Sequence, residues 1–337
     1  MSSILQQAFE PALHPIQPAT PHLFGGGGGT LAAGSGELIT GKGKNRTTTP
    51  VTTPIVLGNG NHHLVDNETN AVITGGDGNN IIAEAGTGAS ITLGNGNNAI
   101  TDKGGTATIV TGNGDQAIDL GGTGNSVTVG NTAGGKWDVT AIDVGAGSGT
   151  VVAGNGNMAI SAGGANNTIT VGKGNDVITL NPAPLPLPWG TTSAVIPVTS
   201  DIVNLGSGAN LVFIGGSGNT INAGGGTDTI AEGPGINNTV VLGATGGSEI
   251  IAAFSPTKGD TLDLTKVLAG VTLTPDLSNL GSYVSIASKS LGHHGNVTDT
   301  VLTITGSGGS DTVTLLNAGT VTLASLISGN SLILPAH

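Results

Sequence analysis

Three acidic residues, Asp66, Glu84 and Asp102, stand eighteen positions apart. Carboxylates repeated at a fixed spacing can share a proton, hold a cation or flank a glycosidic bond as acid and base. On a repeating fold these three are expected to line one face, as the acids of a polysaccharide-acting or polysaccharide-binding solenoid or as a solvated ladder with weak cation sites. A second series carries hydroxyls: Ser90, Thr92, Thr108, Ser126, Thr128, Thr150, Thr168 and Thr170, with Val110 and Val152 interrupting it. A flat array of this kind suits an ice-binding surface, while Thr is also simply a good outward strand residue. Little else could react. Neighbours such as His62 and His63 point to opposite faces of a strand and do not chelate together. No HExxH occurs, and no GxSxG lies in a strand–turn–helix context, so neither a zinc protease nor a serine hydrolase is expected. The expectation is a protein that is not an enzyme.

The elements that position these residues follow from a nine-residue beat. Ile55, Leu64, Ile73, Ile82, Ile91, Ile100, Ile109, Ile118 and Val127 are nine apart, and the beat restarts at Ile142 and at Val203. Gly-rich turns separate the beats, and like turns recur every eighteen residues: GNGNHHL at 58–64, GDGNNII at 76–82, GNGNNAI at 94–100. One short supersecondary unit stacked many times is a solenoid. The predicted fold is all-β, a parallel β-roll of eighteen-residue coils with a β-rich C-terminal cap. With 61 glycines in 337 residues a helical reading fails.

Composition narrows the function further. Aromatic residues are 2% and charged residues 9%, so the core is built from aliphatic ladders. A net charge of −12 argues against nucleic acid as a partner. There is no cysteine, hence no disulfide framework and no thiolate metal site. No apolar run of about eighteen residues is present to span a membrane. The first residues, MSSILQQAFEPALHPIQP, lack the basic and apolar regions of a Sec signal peptide.

The glycines and the beat over roughly 55–235 resemble the RTX nonapeptide family, GGxGxDxUx with U aliphatic, which forms a calcium-bound β-roll. The aspartate departs from that pattern: two before the beat stand His62, Asn80, Asn98, Gln116, Asn125 and Met158, with Asp only at Asp176, Asp201 and Asp228. The resemblance therefore implies Ca2+ only around Gly172, Gly174, Asp176, Asn210, Gly224, Gly226 and Asp228; these aspartates can equally be turn-formers. Residues 55–130 are expected to be free of ions and ordered by Asn ladders such as Asn61, Asn79 and Asn97. Residues 239–270 resemble the segment after RTX repeats, with Glu249, Ile250, Phe254, Gly259, Asp260, Asp263 and Leu264 at the matching places. In that family the block caps the roll and carries an uncleaved type I secretion signal. The implied partner is the type I secretion machinery, and the implied location is the exterior or surface of a Gram-negative bacterium.

The expected organisation is a Gly/Pro-rich arm at 1–50, the roll at 51–235 with insertions at 130–140 and 181–200, and a cap at 236–337. The arm reads as flexible, or as a docking arm that orders on a neighbour. Both tryptophans, Trp137 and Trp189, sit in the insertions, and Trp189 is a candidate contact point. An exported solenoid with no catalytic cargo is expected to be the product itself: a homopolymer that builds an extracellular matrix, fibre or surface layer.

Overall fold

The computed structural model describes residues 54–132, 138–180, 199–289, 298–307, 309–316, 318 and 321–336, with the backbone of two strands at 37–40 and 47–50. Those strands pair antiparallel, Glu37 opposite Pro50 and Thr40 opposite Thr47. They lie inside the stretch expected to be an arm. Trp137, Trp189 and most of both insertions fall outside the described residues.

The chain divides into two compact units that meet in sequence at Lys173 and Gly174. The first unit is a parallel β-solenoid with two sheets. One sheet carries Ile55–Gly58, Val72–Gly75, Ser90–Leu93, Thr108–Thr111, Asn125–Val129, Gly149–Ala153 and Thr168–Thr170. The other carries His63–Asp66, Ile81–Glu84, Asn98–Asp102, Gln116–Leu120, Val139–Asp143 and Asn157–Ala162. The register sets like on like: Leu64 faces Ile82, Ile82 faces Ile100, and Ile100 faces Ile118. The beat residues step by eighteen except where the 130–140 insertion stretches one coil, so that Ile118 pairs with Ile142 and Val127 with Val151.

Period two explains the core. Residues two before and two after each beat share its inward face. The beat residues themselves are at most 3% exposed, from Ile73 at 0% to Ile118 at 3%. Turn glycines hold the coils close together. Gly78 has φ +144 and Gly96 has φ +130, and a Cβ on either would collide with the carbonyl oxygen of Gly60 or Gly78 one coil earlier.

The second unit continues the pattern. Val177–Leu180, Leu211–Ile214, Gly226–Glu232 and Gly247–Ala252 form one parallel run; Ile202–Asn204, Thr220–Asn222, Thr239–Val241 and Thr261–Asp263 form the other. Ile178 pairs with Val212, thirty-four residues further along the chain. Coils then lengthen: Ile230 faces Ile251, and Val240 faces Leu262. Parallel coiling therefore runs past 235, into the stretch expected to be cap. The closing element is a strand set in which Gly309–Leu316 joins Gly247–Ala252 in parallel and pairs antiparallel with Asp299–Gly306, itself antiparallel to Val284–Lys289. Within the stretch expected to be a β-rich cap, Leu323–Ser328 is a helix, started by a Thr322–Ser325 capping box.

Candidate functional site

Three sets of side chains repeat with the coils and are the candidates for function. The first is the hydroxyl face of the first unit. Strand pairing places Ser90, Thr108, Ser126, Thr150 and Thr168 in one file. Thr92, Val110, Thr128, Val152 and Thr170 form the adjacent file. All ten point outward and none is buried, with Val152 at 45%. Coils are about 4.8 Å apart and alternate strand residues about 6.7 Å apart, so the face is a near-rectangular lattice of small side chains without charge. The sequence-predicted face is thus brought together as one surface, apart from Trp189, which lies outside the described residues.

The second set is the amide ladders. Asn79 N–H donates to Asn61 Oδ1 at 2.8 Å, and Asn97 N–H to Asn79 Oδ1 at 2.8 Å. This ladder joins side-chain carbonyl to backbone N–H, not amide to amide. A parallel ladder through Asn59, Asp77, Asn95 and Asn113 uses the same bond. Amide-to-amide pairing occurs one column inward, where Asn80 Nδ2 donates to Asn98 Oδ1 at 2.9 Å and Asn98 Nδ2 to Gln116 Oε1 at 3.0 Å. Asn80, Asn98 and Gln116 are each 1–2% exposed. A buried amide that donates and accepts along the stack satisfies itself without an ion.

The third set is acidic. In the second unit Asp176, Asn210 and Asp228 form one buried column. Asp176 N–H donates to Asn210 Oδ1 at 3.1 Å, and Asn210 Nδ2 donates to Asp228 Oδ1 at 2.8 Å. Asp228 Oδ2 meets no donor. Burial raises the Asp228 carboxyl above its ordinary range. Asp228 is in register with Glu249. Burial, then the neighbouring Asp311 carboxyl and Asp228, push Glu249 up to about 10. Burial and its acidic neighbours thus favour the protonated form of Glu249 beside Asp311, a residue that sequence reasoning passes over. Gly174 donates its N–H to Ser207 O at 3.0 Å, Gly226 pairs with Gly247, and a Cβ on Gly224 would strike Gly206 O. Gly172 belongs to the first unit, where its N–H donates to Gly154 O at 3.1 Å. Among the described residues, no three His, Cys, Asp or Glu side chains converge on one point.

Asp66, Glu84 and Asp102 differ from expectation. They do not line an outer face, because each is two after a beat residue and turns inward, at 1%, 2% and 1% exposure. Burial first, then the charges of Asp66 and Asp102, raise Glu84 to about 7, against the pull of the Gly86 and Ala85 N–H groups. Burial also raises Asp102.

Comparison of the sequence and fold with family models, curated proteins and solved structures gives no match. Among the described residues no helix is long and apolar enough to cross a membrane.

Proposed function

We propose that this chain is a secreted structural protein whose copies associate into an extracellular matrix, fibre or surface layer. One observation carries the reading. Ile55–Gly58 and His63–Asp66 are the outermost strands of their sheets, and among the described residues no strand pairs with their outer edges. An open edge of this kind is a template for a further strand. Val56 on that coil is 74% exposed. In the second unit one sheet finishes in the antiparallel strands Asp299–Gly306 and Val284–Lys289, and the other in the short parallel strand Leu332–Ile333. A contact between this edge and a different surface of another copy is heterologous, and such contacts propagate when they do not close into a ring. The segments 1–50 and 181–200, with Trp189, are the proposed additional contacts. Export by a type I machinery from a Gram-negative cell rests on the resemblance at 239–270, and calcium on the resemblance at Asp176 and Asp228. The test is sedimentation velocity over a concentration series with the wild type and Val56→Lys. A wild type that polymerises while the lysine variant stays small supports the reading; a wild type monomeric at every concentration, with and without calcium, refutes it.

A second reading has its own observation. The uncharged two-file lattice of Ser, Thr and Val side chains fits a binding face for ice. Thermal hysteresis that disappears in Thr128→Lys would favour it over assembly.

A further inference from the structure

The acids of the first unit sit where carboxylates are most unfavourable. Asp66 is in register with Glu84, and Glu84 with Asp102, on three successive coils about 4.8 Å apart. Each uses one oxygen on the turn that follows it. Asp66 Oδ1 accepts the Asn67 N–H at 2.8 Å, Glu84 Oε1 the Gly86 N–H at 2.6 Å, and Asp102 Oδ1 the Gly104 N–H at 2.7 Å. The second oxygen of each is buried and meets no donor: Asp66 Oδ2, Glu84 Oε2 and Asp102 Oδ2. Ionised carboxylates stacked this closely away from water repel one another and lack solvation. Among the described residues no Lys or Arg forms an ion pair with them. Lys103 turns outward and pairs with exposed Asp119 at 2.6 Å.

The turns that follow the acids carry backbone carbonyl oxygens close to one another. A Cβ on Gly86 would collide with the Glu68 carbonyl oxygen and stand 3.0 Å from Glu84 Oε1. The Gly86 carbonyl oxygen crowds Gly104 in the same way one coil on. The column also has an end: the residue in register after Asp102 is Leu120.

We propose that Asp66, Glu84 and Asp102 form a binding site for a hard divalent cation of the Ca2+ class inside the first coils. Such an ion takes oxygens at roughly 2.3–2.6 Å, so two carboxylates on neighbouring coils reach it from either side. The acids stand in line and do not converge on a point. The ion is therefore shared by a neighbouring pair, and Glu84 belongs to both pairs. The carbonyl oxygens of Glu68 and Gly86, on the turns beside the column, are the candidate further ligands. The site would fasten successive coils at the end of the roll that carries the open edge. It is separate from the Asp176 and Asp228 column and independent of the assembly reading, and it reverses the expectation that 55–130 is free of ions.

The test is equilibrium dialysis of the full chain against Ca2+ at pH 8, counting bound ions per chain. The wild type is compared with the Asp66→Asn, Glu84→Gln, Asp102→Asn triple variant, whose amide oxygens still accept the turn N–H groups. Glu84→Gln alone is the second variant, since it breaks both pairs and perturbs the fold least. Ions bound elsewhere, at Glu249 and Asp311 for example, cancel in the difference. The expected result is at least one ion fewer per chain in Glu84→Gln, and a Ca2+-induced rise in melting temperature that is smaller than in the wild type. Equal counts and equal rises, or a wild type that binds no Ca2+, would overturn the proposal.

Discussion

Replacing Glu84 by glutamine isolates the electrostatic state of the acidic column. In calcium-free buffer the folded protein holds the Glu84 carboxyl at about 7, against 4.5 for an ordinary glutamate, through burial and the charges of Asp66 and Asp102. A folded-state value above the unfolded one means that folding takes up a proton between them. Its contribution is fully present below pH 4.5 and is lost as pH rises through 7. The full difference, at 1.36 kcal/mol for each tenfold change in protonation, corresponds to about 3.4 kcal/mol. Solvent reaching the turn lowers this, to about 1–3 kcal/mol. The Glu84→Gln side chain keeps an oxygen for the Ala85 and Gly86 N–H groups and carries no charge to desolvate. Urea unfolding of wild type and Glu84→Gln, at pH 4.5 and pH 8.5 with chelator present, measures the effect. The variant should gain about 1–3 kcal/mol on the wild type between the two pH values. A stability difference that does not change with pH would refute the reasoning.

Other perturbations test other parts of the roll. Asn98→Leu removes an amide that links three coils, leaves Asn80 Nδ2 and Gln116 Oε1 short of a partner, and should destabilise by about 2–4 kcal/mol in urea unfolding. Gly96→Ala forces a side chain into φ +130 against Gly78 O, so its circular-dichroism melt should fall well below the wild type's, or the coil should fail to form. Glu249→Gln should gain on the wild type progressively as pH rises from about 4.5, where the unfolded wild type ionises while the folded carboxyl stays protonated, and should gain no more above about 10, read by melts from pH 4 to 11.

Much of the fold is legible in the sequence because the beat is simple. A nine-residue period with paired turn types fixes two short strands per coil, and every beat residue from Ile55 to Ile230 is buried. The alternation that puts Ser90 and Thr92 outside also puts residues two after the beat inside, so the burial of Asp66, Glu84 and Asp102 follows from period two. The contrary expectation of an outer acidic face rests on the usual preference of carboxylates for water, which the strand geometry overrides. The register at Asp311 is not legible. It reaches Glu249 by returning along a long antiparallel detour, and no local pattern specifies that pairing. Coils longer than eighteen, such as Ile230 to Ile251, likewise lose the period while keeping the parallel stack. The helix Leu323–Ser328 hides in a sequence of β-branched and small residues, and is set by its Thr322 cap.

Negative-stain microscopy of the purified full-length chain tests the central claim most directly. The wild type, imaged over a range of concentrations with and without Ca2+, should form ordered polymers, with Val56→Lys reduced to single rolls of unchanged circular dichroism. Dispersed single rolls from the wild type under every condition, or polymers that Val56→Lys leaves unaltered, would contradict assembly through the open edge of the Ile55 coil.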